Sequence, residues 1–285
     1  MKTLRESLLD DDLIGKTDKM IKDEIKAFLK ENFIGVSTCK ISKNPNADGK
    51  YEVSSTKNIE VKNYNITSLT NWSFIWIEVR GDFNCSGCSS LKSLEGAPKE
   101  VGDGFDCSYC ESLTSLEGAP KEVGDDFDCS YCKSLKSLEG APEKVEGNFS
   151  CISCKSLKTL EGTPKKVGGN FNCAMCYSLS SLKGAPEKIS GNFYCDGCDS
   201  LTSLEGAPKE IGGNFSCHIC RSLTSLEGAP EKVGGGFNCM QCRSLISLEG
   251  APEKVGGYFE CRFCKVKFTE EDVKKISNVK GEIDC

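Results

Sequence analysis

One period governs most of this chain. The cysteines Cys85, Cys107, Cys129, Cys151, Cys173, Cys195, Cys217, Cys239 and Cys261 stand 22 residues apart, with nothing inserted or deleted across nine units. A second cysteine follows each of them three residues later. The unit reads Val-x-Gly-x-Phe-x-Cys-x-x-Cys-x-Ser-Leu-x-Ser-Leu-Glu-Gly-Ala-Pro. A strict period of this length marks a solenoid, in which a unit buries its apolar face only against its neighbours.

Within a unit, Phe83 and Cys85 are two residues apart and share one face of a short strand, while Asn84 takes the other. Phe and the first Cys therefore point inward. Cys88, Leu91 and Leu94 follow at intervals of three, a rhythm of turning backbone with one inward side chain per step. Gly96 then offers a permissive backbone, and Pro98 ends any helical continuation. The expected fold is a repeat solenoid, mainly β, of about ten to eleven coils. Each coil contributes one short parallel, in-register strand and an irregular return.

The run Phe83-x-Cys85-x-x-Cys88-x-x-Leu91-x-x-Leu94 resembles the leucine-rich repeat, in the cysteine-containing variety where Cys replaces the usual Asn at the strand's end. It is also similar to the short LEGAP repeats of tailed-phage and gut-bacterial proteins. The resemblance covers roughly residues 57 to 285 and departs at the first Cys column, where the family carries Leu or Val. It implies a horseshoe with a variable concave sheet face, and a host-cytoplasm address if the chain is phage-encoded. It also makes residues 58 to 69 a lead-in coil with Ile59, Val61, Tyr64, Ile66 and Leu69 buried.

Both ends depart from the repeat, as solenoid caps do. Residues 17 to 33 place Ile21, Ile25, Phe28 and Leu29 on one face of an amphipathic helix, expected to cover the first coil. A turn over "SKNPNADGK" leads into a strand at Tyr51 to Val53. Near the other end a short helix in "FTEEDVKKIS" is N-capped by Thr269 with Asp272 three residues on, and Cys285 stands 24 after Cys261. The chain thus divides into a cap and lead-in strand (1–56), the solenoid (57–264) and a capping helix with a last strand (265–285).

No run of about 18 apolar residues offers a membrane span, and the first residues, "MKTLRESLLDDDLIGK", interrupt their apolar pairs with charge. The expected address is the cytoplasm, where thiols stay reduced. A net charge of -6 with interleaved signs argues against a nucleic-acid surface. The pair spacing is nevertheless one that zinc proteins use, so Cys85, Cys88, Cys107 and Cys110 form the alternative ligand set of a zinc-binding or redox thiol protein. Tetrahedral zinc needs four sulfurs about 3.8 Å apart and converging. A solenoid stacks its columns about 4.7–4.9 Å apart without convergence. The favoured reading is a buried cysteine ladder without a cofactor, with Cys39 and Cys285 outside it.

The only histidine, His218, falls by repeat phase on the exposed side. Nothing resembles a nucleophile motif or a phosphate loop, so the expectation is a non-enzyme. Comparing units separates constant scaffold from changing display. The changing positions, assigned to the concave face as a partner-binding surface, include Asp106, Tyr109, Asp128, Tyr131, Met175, Tyr194, His218, Ile219, Arg221, Met240, Arg243, Arg262 and Phe263. Exposed Tyr, Met, Phe and Arg are enriched at protein interfaces. The expected function is binding of a partner protein by a monomer, with glycan binding and a purely structural role as alternatives. A column of Glu from Glu95 to Glu249, interrupted by Lys183, has no assigned role.

Overall fold

The computed structural model describes residues 16–43, 50–70 and 74–285. The charged first residues and the expected turn at 44–49 lie outside this range. The described residues wind as a parallel β-solenoid with two sheets of 12 strands each. One sheet carries the Phe strands, such as Phe127–Asp128, paired in register with Phe105–Asp106 and Phe149–Ser150. The other carries strands such as Glu122–Val123 and Lys144–Val145, with Val stacked on Val.

This second sheet corrects the single-strand coil. Each return ends in a charged residue followed by Val or Ile, the first exposed and the second buried. A corner of three residues then leads to Phe. Two residues suffice for a strand here because identical neighbours on both sides supply its hydrogen bonds.

The core is a set of columns. Phe rings stack from Phe83 to Phe259 with centroids 5.1 to 5.6 Å apart. From Cys110 onward the second cysteine of each coil donates its thiol to the carbonyl of the first cysteine one coil back, as in Cys132 to Cys107 and Cys154 to Cys129, both 3.3 Å. Some first cysteines donate forward, Cys129 to the Ser150 carbonyl at 3.3 Å and Cys195 to that of Ser216 at 3.3 Å. Cysteine therefore fills space as a small hydrophobe and also supplies a weak donor that Val and Ala lack.

A second ladder runs along the corner before Phe. The Asn148, Asn170 and Asn192 side chains accept from the backbone N–H of Asn170, Asn192 and Asn214 at 2.7 to 2.8 Å, and Asp126 accepts from Asn148. These bonds satisfy corner amides that the two short strands leave unpaired.

Helix α1 (Asp18–Asn32) closes one end. Thr17 caps it by accepting from the Met20 N–H, and Ile21, Ile25 and Leu29 are buried while Phe28 is half-buried. Strand β1 (Phe33–Ile34) pairs antiparallel with β4 (Ile59–Val61), and β2 (Lys40–Lys43) pairs antiparallel with β3 (Tyr51–Ser55), so both sheets change direction at this end. The Tyr51 hydroxyl donates to Asp18 at 2.5 Å. This bond holds the Asp18 carboxyl below its usual range, and desolvation with the same bond pushes Tyr51 up to about 12. Ile59, Val61, Ile66 and Leu69 are buried as expected of a lead-in coil, but Tyr64 is 54% exposed. It swings out because the backbone turns at Tyr64 and Asn65.

At the other end, α2 (Glu270–Ile276) has the full capping box of Thr269 and Asp272 and buries Val273. Cys285 is joined to Cys261 in a disulfide across 24 residues. The expectation of free thiols fails at this one pair, where the helix delivers the last strand beside its neighbour with Cα atoms 4.7 Å apart. No described helix is long and apolar enough to cross a membrane.

Candidate interaction face

The outward side of the Phe-strand sheet is built around the turn between each pair of cysteines. In five of the nine coils the residue before the first cysteine braces that turn. The Asp106 and Asp128 carboxylates each accept from the backbone N–H two residues on at 2.8 Å, as do the Asn84, Asn172 and Asn238 side chains at 2.8 to 3.0 Å. Asp106 and Asp128, expected in the binding set, are half-buried and also shape the turn. Burial raises the Asp128 carboxyl above its usual value.

The residue before the second cysteine lies in the left-handed region in every coil. Gly87 and Gly197 hold it at φ 74 and 65°, and Tyr109, Tyr131, Ser153, Met175, Ile219, Gln241 and Phe263 at 58 to 62°. A side chain there costs about 1–2 kcal/mol relative to an ordinary backbone, and a β-branched Ile is an outlier. These residues are held outward against local preference. Tyr109 is 50% exposed, Met175 48% and Phe263 68%, with Tyr131 and Ile219 partly covered. The Tyr109 and Tyr131 rings stack at 4.4 Å, 7° from parallel. Asn tolerates this conformation, so Ile219→Asn should stabilise the fold by about 0.5–1 kcal/mol in urea denaturation. A lower midpoint would show that Ile219 makes up the strain by packing.

Beside this column runs another of charges, paired between coils. Lys133 meets Glu111 at 2.5 Å, Lys155 lies 5.7 Å over Tyr177, and Arg221 meets Asp199 at 2.8 Å. Arg221 is thus engaged within the fold, whereas Arg243, one coil on, is simply exposed. Arg262 binds Glu260, meets Asp284 at 3.2 Å and sits 5.9 Å over Phe263, tying the last coil together. Its Nη2 also lies 3.9 Å from the sulfur of half-buried Met240. Tyr194 is half-buried on its strand.

His218 is not on an open surface. It is half-buried, and its Nε2 is shut from solvent without a hydrogen-bond partner among the described residues. Its backbone N–H donates at 2.8 Å to Asp196, which also accepts from the Ser216 hydroxyl at 2.5 Å. Burial raises the Asp196 carboxyl despite these bonds. The sequence pattern passed over Asp196, although an Asp inside the cysteine turn is unique to that coil.

Cys85, Cys88, Cys107 and Cys110 are all buried, and the Cys110 thiol donates to the Cys85 carbonyl at 3.3 Å. Burial pushes Cys88 up to about 12 and Cys107 well above the usual thiol value, which disfavours the thiolate that metal binding and redox attack require. Among the described residues, no three His, Cys, Asp or Glu side chains come together as a metal group.

A groove of about 990 Å3 opens over the other sheet, lined by Trp76, Ala97, Ala119, Glu100, Glu122 and Lys144 among others. None of the residues placed in the binding set reaches it. Comparison with family models, curated proteins and solved structures finds no match to this chain. What the fold itself defines is a class, the two-sheet parallel β-solenoid with an internal cysteine ladder.

Proposed function

We propose that this chain is a non-catalytic protein-interaction module of the leucine-rich-repeat-like, LEGAP-bearing kind, working in the cytoplasm. It presents the outward face of the Phe-strand sheet and its cysteine turns to another protein. The observation that carries this reading is the left-handed column. Seven of its residues keep a side chain where Gly would relax the backbone, and they include exposed Tyr109, Met175 and Phe263. Strained positions that persist within an otherwise regular fold concentrate at functional surfaces, and aromatic and Met side chains supply the anchors of protein interfaces.

The test is affinity capture from cells that make the protein, with wild type and with Tyr131, Met175, Ile219 and Phe263 all changed to Asn. Asn keeps the backbone comfortable, so the variant should fold. The expected result is loss of the specific partner. The same captured proteins in both samples would overturn the reading.

A further inference from the structure

The left-handed column lacks a side chain at two rungs, Gly87 and Gly197, and only Gly87 has a tyrosine in the coil on either side. Gly87 carries no side chain, and the next coil presents Tyr109, whose ring lies against Tyr131 at 4.4 Å and so turns its other face toward the Gly87 rung. On the far side stands Tyr64, 54% exposed; a Cβ added to Gly87 would lie 3.6 Å from its ring. Gly87 is thus an unfilled place between two exposed tyrosines. Successive rungs of a parallel sheet are about 4.8 Å apart, so one absent side chain leaves room for a planar group.

The surroundings fix the sign of that group. Asp82, Asp103, Asp125 and Asp126 lie exposed along the corner of the same coils. No ion pair among the described residues reaches any of the four, although Asp82 accepts from the Gly104 N–H at 2.8 Å and Asp126 from the Asn148 N–H at 2.7 Å. Repulsion from Asp126, then desolvation and the charges of Asp103 and Asp82, raises the Asp125 carboxyl. Tyrosine faces attract cations, and guanidinium is the planar one that stacks as well as pairs.

Building on the interaction reading above, we infer that this end of the face receives a basic segment of a partner protein, one arginine seated at Gly87 between Tyr64 and Tyr109 and its basic neighbours over Asp82, Asp103, Asp125 and Asp126. The tyrosines select arginine, and the carboxylates supply attraction at a distance.

The experiment uses fluorescence anisotropy of labelled hexa-arginine and hexa-lysine peptides against the full chain. Three variants accompany it: Gly87→Asn, which fills the rung with a residue that accepts positive φ, Tyr64→Ser, and the pair Asp103→Asn with Asp125→Asn. Thermal melts of each variant check folding. The arginine peptide should bind more tightly than the lysine peptide. Gly87→Asn and Tyr64→Ser should each weaken it about two- to fivefold while leaving the lysine peptide unchanged, and the Asp pair should weaken both. Equal binding of the two peptides, indifference to Gly87→Asn and Tyr64→Ser, or no binding would overturn the proposal. Capture of a partner that is lost in the four-Asn variant but kept by Gly87→Asn and Tyr64→Ser would also overturn it, while leaving the interaction module standing.

Discussion

Phe171→Ala should lower stability by about 3–5 kcal/mol, the range for deleting a fully buried aromatic ring. Phe171 is completely buried and stacks on Phe149 and Phe193 at 5.3 Å each. Its neighbours are held in register by strand pairs on both sides, so the cavity cannot collapse by sliding one ring toward the other. A coil in a solenoid touches only the coils next to it, so a central defect weakens two interfaces and divides the cooperative unit. Urea unfolding should therefore show an earlier onset and a broader or split transition. Phe259→Ala should cost less, because the Phe237–Phe259 pair is already tilted by 37° and only the terminal coil lies beyond it. A Phe171 variant within about 1 kcal/mol of wild type would mean that the rings are spacers and not the core's main contribution.

The inward columns were readable because each is a separate, nearly invariant position. Phe, two cysteines, two leucines and the period of 22 fix which side chains meet, and a Thr three residues before an Asp fixes where α2 begins. The second sheet was not readable. Its strands are two residues long, too short for alternation to show, and its exposed member changes between Glu and Lys from coil to coil. The corner ladder was hidden for a related reason: Asp, Gly, Asn and Tyr all occur in its column, although the run Asn148, Asn170, Asn192, Asn214 was there to be noticed. At the candidate face the sequence located the changing residues but not their work. Asp106 and Asp128 read as display, and they also brace turns, because a carboxylate two residues before an amide reads the same in either role. The sign of φ could have been inferred. Gly87 and Gly197 mark the column, but seven other residue choices mask it. The resembled consensus makes Tyr64 a buried position, but the turn at Tyr64 and Asn65 puts it outside, beside Gly87.

Gly140→Ala should be about as damaging as the loss of a ring, about 3–5 kcal/mol, although it adds one methyl group and removes nothing. Gly140 has φ 84°, which costs any L-residue about 1–2 kcal/mol. That alone does not make it special, since Tyr131 bears the same conformation with a full side chain. The difference is space. A Cβ at Gly140 would stand 2.4 Å from the Glu117 nitrogen and 2.6 Å from the Leu116 carbonyl carbon, both backbone atoms of the previous coil. The coils would have to part there, straining the bond from the Leu116 N–H to the Glu139 carbonyl, now 2.9 Å. Gly197→Ala provides the control: its φ is 65°, but the nearest atom to an added Cβ is Met175 Cγ at 3.9 Å. It should cost only about 1 kcal/mol. Equal losses for the two variants in urea unfolding would show that conformation alone keeps Gly in both columns. A much larger loss at Gly140 assigns the glycine of "LEGAP" to close coil contact, which leaves the cysteine turn as the place where a coil can change its side chain without parting from its neighbours.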